Sequence, residues 1–179
     1  MNKINRLQGL SFEMPQYFSF FQKKMVPENV LMHDSHLEKE WRVLVVDTET
    51  NTIEDILICL NGFLQNWRLS VVYSGKGCMD IIKADGDPDL IILGLNLSDT
   101  NGFELLKQIR NDSDVPIVII SSDADIHKLE QAFDNGANDY VLTLFNTRIF
   151  AARLKALIRR REWDMQAGGS KLRKAREAV

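Results

Sequence analysis

The sequence predicts an α/β protein with a doubly wound, five-stranded parallel sheet of (βα)5 order. Two observations predict it. Short runs rich in Val, Ile and Leu recur along the chain, and each is followed by a longer segment with apolar residues at i, i+3 and i+4. Runs that are apolar throughout ask for cover on both faces, and strands separated by helices must lie parallel. The length, 179 residues, allows one domain with modest extensions and excludes a large multidomain enzyme.

The first strand is Val43–Val46, ending on Asp47. Ile53, Ile56, Leu57, Leu60, Phe63 and Leu64 then mark one stripe of a helix, in which Gly62 costs about 1 kcal/mol. Further strands are predicted at Leu69–Tyr73, Leu90–Leu95, Ile117–Ser121 and Tyr140–Leu142. Helices are predicted at Gly75–Ala84, Phe103–Asn111, Ala124–Asn135 and Thr147–Arg161. Asp87-Pro88 marks the turn into the third strand, and Gly136 after Asn135 supplies a left-handed helix cap.

Three regions follow: 1–40, an extension with aromatics (Phe12, Tyr17, Phe18, Phe20, Phe21) but no sustained period; 41–162, the (βα)5 domain; and 163–179, a basic linker and tail or frayed helix. Between Arg153 and Arg176 nine Lys/Arg face two acids, so the basic charge is concentrated at the end of a chain whose net charge is -3. The two cysteines, Cys59 and Cys78, form neither a CxxC pair nor a disulfide framework and read as reduced thiols. No apolar run approaches the roughly 18 to 20 residues that span a bilayer, and no signal peptide opens the chain, so a cytoplasmic, non-membrane protein is expected.

Ligands on such a sheet sit at the carboxyl ends of its strands, which directs attention to Asp47, Gly94, Ser121 and Thr143. Other signals are weaker. His33 and His36 lie in a polar stretch without fixed geometry, and His127 reads as a surface residue. Gly75-Lys76-Gly77 lacks phosphate-loop spacing and opens a helix, and Ser121-Ser122-Asp123 has no partner histidine for nucleophilic catalysis.

Val43–Glu49, Pro88–Leu97 with Gly102, Val115–Ser122 and Gly136–Leu142 together resemble the receiver domain of bacterial two-component response regulators, a flavodoxin-like fold. The last helix, Ala152–Arg160, is most similar to that of the OmpR/PhoB-type regulators. The resemblance implies a pocket in which two acids after the first strand and an aspartate at the end of the third hold Mg²⁺ beside the phosphate acceptor. Here the second acid is Thr48 and the acceptor position is Gly94, although Glu49 follows close by. Ser121 keeps the hydroxyl of the fourth strand, whereas Thr143 stands for the lysine of the fifth and Leu144 for the proline after it.

Phosphoryl transfer needs an oxygen nucleophile in line and cations around the transferred group. Gly94 offers no side chain, Thr143 no charge, and Asp47 with Glu49 is a poor anchor for a hard, reluctantly dehydrated ion. The expectation is a degenerate pseudo-receiver: not an enzyme, with no cofactor and with Mg²⁺ binding weak or absent. Asp47, Glu49 and Ser121 then serve as hydrogen-bonding groups that hold strand ends. Two alternatives stay open. One is a relocated acceptor, for which Asn96 carries only an amide and Asp99 lies in the following loop; the other is a small ligand in the space left by Gly94 and Thr143.

By the same resemblance Tyr140 occupies the switch-aromatic position and is expected in a single orientation. The fourth and fifth helices with the fifth strand form a twofold surface in these regulators. Matched residue by residue, Asp139 with Arg153 and Asp134 with Lys155 keep two intersubunit ion pairs, while a third falls on Leu129 and Ile149, with Phe133 and Ala151 in the same patch. Exposed ion pairs contribute about 0 to 1 kcal/mol and buried apolar side chains about 1.5 to 3, so the exchange favours a constitutive homodimer. A protein signalling partner is the other expected contact. DNA binding is expected only through an effector domain following Val179, since a winged helix takes about another 100 residues.

Overall fold

A computed structural model describes residues 40–63 and 67–177. The extension 1–39, with His33 and His36, and Leu64 of the first helical stripe lie outside the described residues. The elements are β1 (Trp41–Val46), α1 (Thr50–Phe63), β2 (Trp67–Val72), α2 (Gly75–Asp85), β3 (Leu90–Gly94), α3 (Gly102–Arg110), β4 (Ile117–Ser121), α4 (Ile126–Asp134), β5 (Asp139–Leu142) and α5 (Thr147–Glu177). All strand pairs are parallel, in the order β2-β1-β3-β4-β5. The five predicted βα units are all present.

Because side chains alternate across a strand, the central strands feed two cores. Leu44, Val46, Ile91, Leu93, Ile117 and Ile119 pack with Cys78 of α2, Leu105, Leu106 and Ile109 of α3 and Ala132 of α4. Val43, Val45, Leu90, Ile92, Val118 and Ile120 pack with Ile56 and Leu60 of α1 and Phe150 and Leu154 of α5. Each fully buried aliphatic side chain contributes about 1.5 to 3 kcal/mol, so this interdigitation fixes the register that sets the strand ends side by side. β2, with one neighbour only, is half-exposed rather than fully covered, and Tyr73 falls just beyond it, exposed to solvent.

Local chemistry sets the boundaries. The amide of Ala137 bonds the carbonyl of Ala132 and that of Gly136 the carbonyl of Phe133, with Gly136 at φ 90°, so the predicted left-handed cap closes α4. Ser74, Asn101 and Asp125 cap the N-termini of α2, α3 and α4, accepting from the amides of Gly77, Phe103 and His127.

Two expectations need correction. α5 does not stop at Arg161 but runs 31 residues to Glu177, about 46 Å, through the stretch read as linker and tail. No proline interrupts it, and the helix-forming Lys, Leu, Arg and Ala of 171–176 outweigh about 1 kcal/mol for each of Gly168 and Gly169. Ala151, placed at a subunit interface by resemblance, is 3% exposed and packs in the core with Phe150 and Leu154.

Gly102 shows where the fold has no tolerance. A Cβ there would lie 2.3 Å from the carbonyl oxygen of Gly94 and 2.8 Å from Leu95 Cα. Both are backbone atoms that no rotamer change can move. Gly102→Ala is therefore expected to destabilise the domain by about 1–3 kcal/mol, measured by urea unfolding; an unchanged midpoint would contradict this packing.

Candidate functional site

The site forms at the carboxyl ends of β1, β3, β4 and β5. Val46 pairs with Leu93 and Gly94 with Ile120, so Asp47, one residue past β1, lies beside Gly94. Asp47 is 6% exposed, and its carboxylate fills the room that a side chain at position 94 would need. A Cβ on Gly94 would stand 2.6 Å from Asp47 Oδ2 and 2.7 Å from Cγ. The vacated space is therefore taken, which argues against a small ligand lodged in it.

Asp47 Oδ1 accepts the amide of Glu49 at 2.9 Å. Burial raises its pKa above the ordinary 3.8; hydrogen bonds from the amides of Glu49 and Thr48 oppose the shift, and the charge of Glu49 adds to it. Thr48 turns to the neighbouring loop, where its Oγ1 donates to the carbonyl of Asn96 at 2.8 Å. Asn96 lies outside β3, in an isolated bridge with Asn101, and is exposed.

Asp99 has a different task. Its two oxygens accept the amides of Gly75 at 2.7 Å and Lys76 at 2.9 Å, so it caps the first turn of α2, and these bonds hold its pKa low. The sequence did not mark this role, because 24 residues separate the loop from the helix it caps. On the far side Ser121 Oγ accepts the amide of Asp123 at 3.1 Å, and the amide of Thr143 donates to the carbonyl of Ser121 at 2.8 Å. Leu144 follows at φ 64° and is 93% exposed.

For Mg²⁺ the donor set is short. Asp47 is turned against Gly94 with one oxygen already bonded, Thr48 donates to a backbone carbonyl, and Gly94 supplies nothing. Glu49, exposed beside them, is the further carboxylate at this strand end, and one or two carboxylates with phosphate oxygens are the usual anchor for this ion. Among the described residues no three His, Cys, Asp or Glu side chains gather as a metal site.

Tyr140 is 8% exposed, and its hydroxyl donates to the carbonyl of Asp123 at 2.8 Å. Asp123 and Lys128, which no motif marked as partners, form an ion pair at 2.6 Å between the β4–α4 loop and α4. Only a five-residue spacing connects them, and it has no regular periodicity to betray it.

On the α4–β5–α5 face, Arg153 Nη1 meets both oxygens of Asp139 at 2.8 Å within one chain. Asp134 and Lys155 are exposed on α4 and α5. Leu129, Tyr140, Val141, Leu142, Phe145 and Ile149 line a groove of about 350 Å³ together with Ala124, Asp125 and Arg153. Ile149 and Ile126 are each 58% exposed and Phe133 and Leu142 each 44%.

Comparison with known proteins accords with this architecture. The family model of the response regulator receiver domain matches residues 43–155, and the chain belongs to that family. The DNA-binding response regulator MtrA of Mycolicibacterium smegmatis is 32% identical over 121 residues, 68% of this chain and 52% of that protein. The response regulator ArlR of Staphylococcus saprophyticus is 33% identical over 120 residues, 66% of this chain and 53% of that one. The chain thus spans about half the length of the curated relatives it matches. A two-component response regulator from Clostridium difficile superimposes with a TM-score of 0.62 at 26% identity, over 68% of this chain and 98% of that one. A CheY-like receiver domain protein from Methanospirillum hungatei, at 17% identity and TM-score 0.63 over 70% of this chain and 99% of that one, shares the fold. Among the described residues no helix is long and apolar enough to cross a membrane.

The buried carboxylate makes a prediction of definite sign. Since its native pKa is raised, the contribution of Asp47 to stability is fully present below the unfolded value of 3.8 and is lost as pH rises through the native value. Asp47→Asn keeps an oxygen for the Glu49 amide and removes the buried charge, so its unfolding midpoint should exceed that of the parent at neutral pH and lose the advantage in acid. A lower midpoint at neutral pH would contradict the assignment.

Proposed function

We propose that this chain is a pseudo-receiver: a regulatory module of two-component signalling that works without phosphorylation, catalyses no reaction, holds no cofactor and acts through protein contacts in the cytoplasm. The observation that carries the reading is the Asp47 carboxylate seated against the bare backbone of Gly94. An acceptor would need an oxygen there, and the groups nearby are otherwise engaged. Asp99 caps α2, Thr48 holds the β3–α3 loop, and Thr143 leaves no cation for an incoming dianion. Weak or absent Mg²⁺ binding accompanies this donor set. The rival, a switch with a relocated acceptor, would have to use Asp47 itself or the exposed Glu49, since Asp99 is committed to α2.

The signal then has to be binding energy, and the α4–β5–α5 face supports a homodimer as its form. Since Asp139 and Arg153 satisfy each other within the chain, apolar contact rather than intersubunit charge carries the association. Leu129 and Ile149 lie along the groove, with Phe133 exposed on α4 beside them. The name of MtrA describes a DNA-binding regulator, and this chain spans about half of that protein's length, so a role in transcription belongs to the proposal only with an effector domain attached.

Two measurements test these statements. Incubation with acetyl phosphate and Mg²⁺, followed by intact mass, should leave the mass unchanged; gain of one phosphoryl group would favour the switch. Sedimentation without any phosphodonor should give a dimer that Ile149→Glu dissociates, with affinity falling at least about tenfold for loss of one buried aliphatic contact. A parent protein that stays monomeric would remove the dimer from the account while leaving the phosphorylation result intact.

A further inference from the structure

The loop after β4 is held from four sides. Ser121 Oγ accepts the amide of Asp123 at 3.1 Å, and Asp123 Oδ1 accepts the amide of Asp125 at 2.9 Å. Asp123 Oδ2 meets Lys128 Nζ at 2.6 Å, and the carbonyl of Asp123 takes the hydroxyl of Tyr140 at 2.8 Å. Asp125 in turn caps α4 through the amide of His127 at 2.9 Å. A buried tyrosine needs a partner for its hydroxyl, and here that partner is one backbone carbonyl whose position depends on the Asp123 side chain. The same residues shape the docking face: Ala124, Asp125 and Tyr140 line the groove together with Leu129 and Ile149.

We infer that Asp123 and Lys128 form a built-in clasp that keeps Tyr140 inward beside the groove, so that an ion pair within the chain stands in for a covalent signal. The inference rests on the pseudo-receiver reading, and it names positioning residues that neither composition nor motif assigned. Ser121 contributes its oxygen to the loop rather than to an incoming phosphoryl group. The depressed pKa of Asp123 and the raised pKa of Lys128, each caused first by their mutual hydrogen bond, accord with the pairing. Both side chains are part-exposed, so their removal leaves the core untouched.

The full chain carrying fluorotyrosine tests the clasp. Of its three tyrosines, Tyr140 is assigned by the signal lost in Tyr140→Phe. The expected parent spectrum has one narrow Tyr140 line that acetyl phosphate with Mg²⁺ does not move. Lys128→Met should shift or split that line and speed exchange of the Asp125 amide by roughly threefold to tenfold, as loss of one hydrogen-bonded contact implies. Lys128→Arg should restore the parent line. Two Tyr140 lines in the parent, or a Lys128→Met spectrum identical to it, would overturn the clasp while leaving the missing acceptor untouched. Phosphoryl gain by mass with an unmoved Tyr140 line would instead overturn the pseudo-receiver reading and leave the clasp standing.

Discussion

A carboxylate held against a glycine organises the functional end of this domain. Parallel pairing of β1 with β3 leaves Asp47 and Gly94 adjacent, and because Gly94 has no Cβ the Asp47 side chain settles where another side chain would stand. The neighbours follow from that. Glu49 donates its amide to Asp47, Thr48 spans to Asn96, and Gly102 lets α3 begin in contact with the backbone of Gly94 and Leu95. The strand ends are thereby closed by short, neutral or single-charge contacts instead of a cluster of acids awaiting a metal. An ionised carboxylate in this burial is costly, which the raised pKa of Asp47 expresses, and its amide bonds offset only part of that cost.

The α4–β5–α5 face carries exposed apolar side chains, among them Ile126, Phe133, Leu142 and Ile149. Packing of α5 turns Phe150, Ala151 and Leu154 inward and leaves Ile149 outward, opposite Leu129 of α4 across the groove. Arg153 lines the same groove and is paired with Asp139 within the chain. The β4–α4 loop joins the two regions, being bonded to Ser121 at the strand end and to Tyr140 at the groove floor.

The number and sequence of strands and helices were legible because each βα unit repeats the same two periods, and Gly136 declared its cap by residue type. The absence of a side chain at Gly94 was equally plain. Its consequence was not, since which neighbour fills the space depends on contact between residues 47 positions apart. Asp99 as the cap of α2 and Asp123 as the partner of Tyr140 were hidden for the same reason, while the Asp123–Lys128 pair has a five-residue spacing that no regular period marks. Ala151 is the instructive error: its spacing from Leu154 and Ile158 already placed it on the buried stripe, and residue-by-residue matching to relatives overrode that signal. α5 outran its expected end at Arg161 because the basic stretch beyond it was read as linker and tail or frayed helix, although its paired glycines are a modest cost in a helix.

The central claim is that position 94 presents backbone alone to a carboxylate already in place. It is tested most directly by titrating Mg²⁺ and beryllium fluoride, a mimic of the carboxylate-bound phosphoryl group, into the isotopically labelled chain while following the amides of Asp47, Thr48, Gly94 and Ser121. The account predicts that none of the four moves. Saturable shifts converging on these amides would show that the strand ends still bind a phosphoryl mimic, and would contradict it.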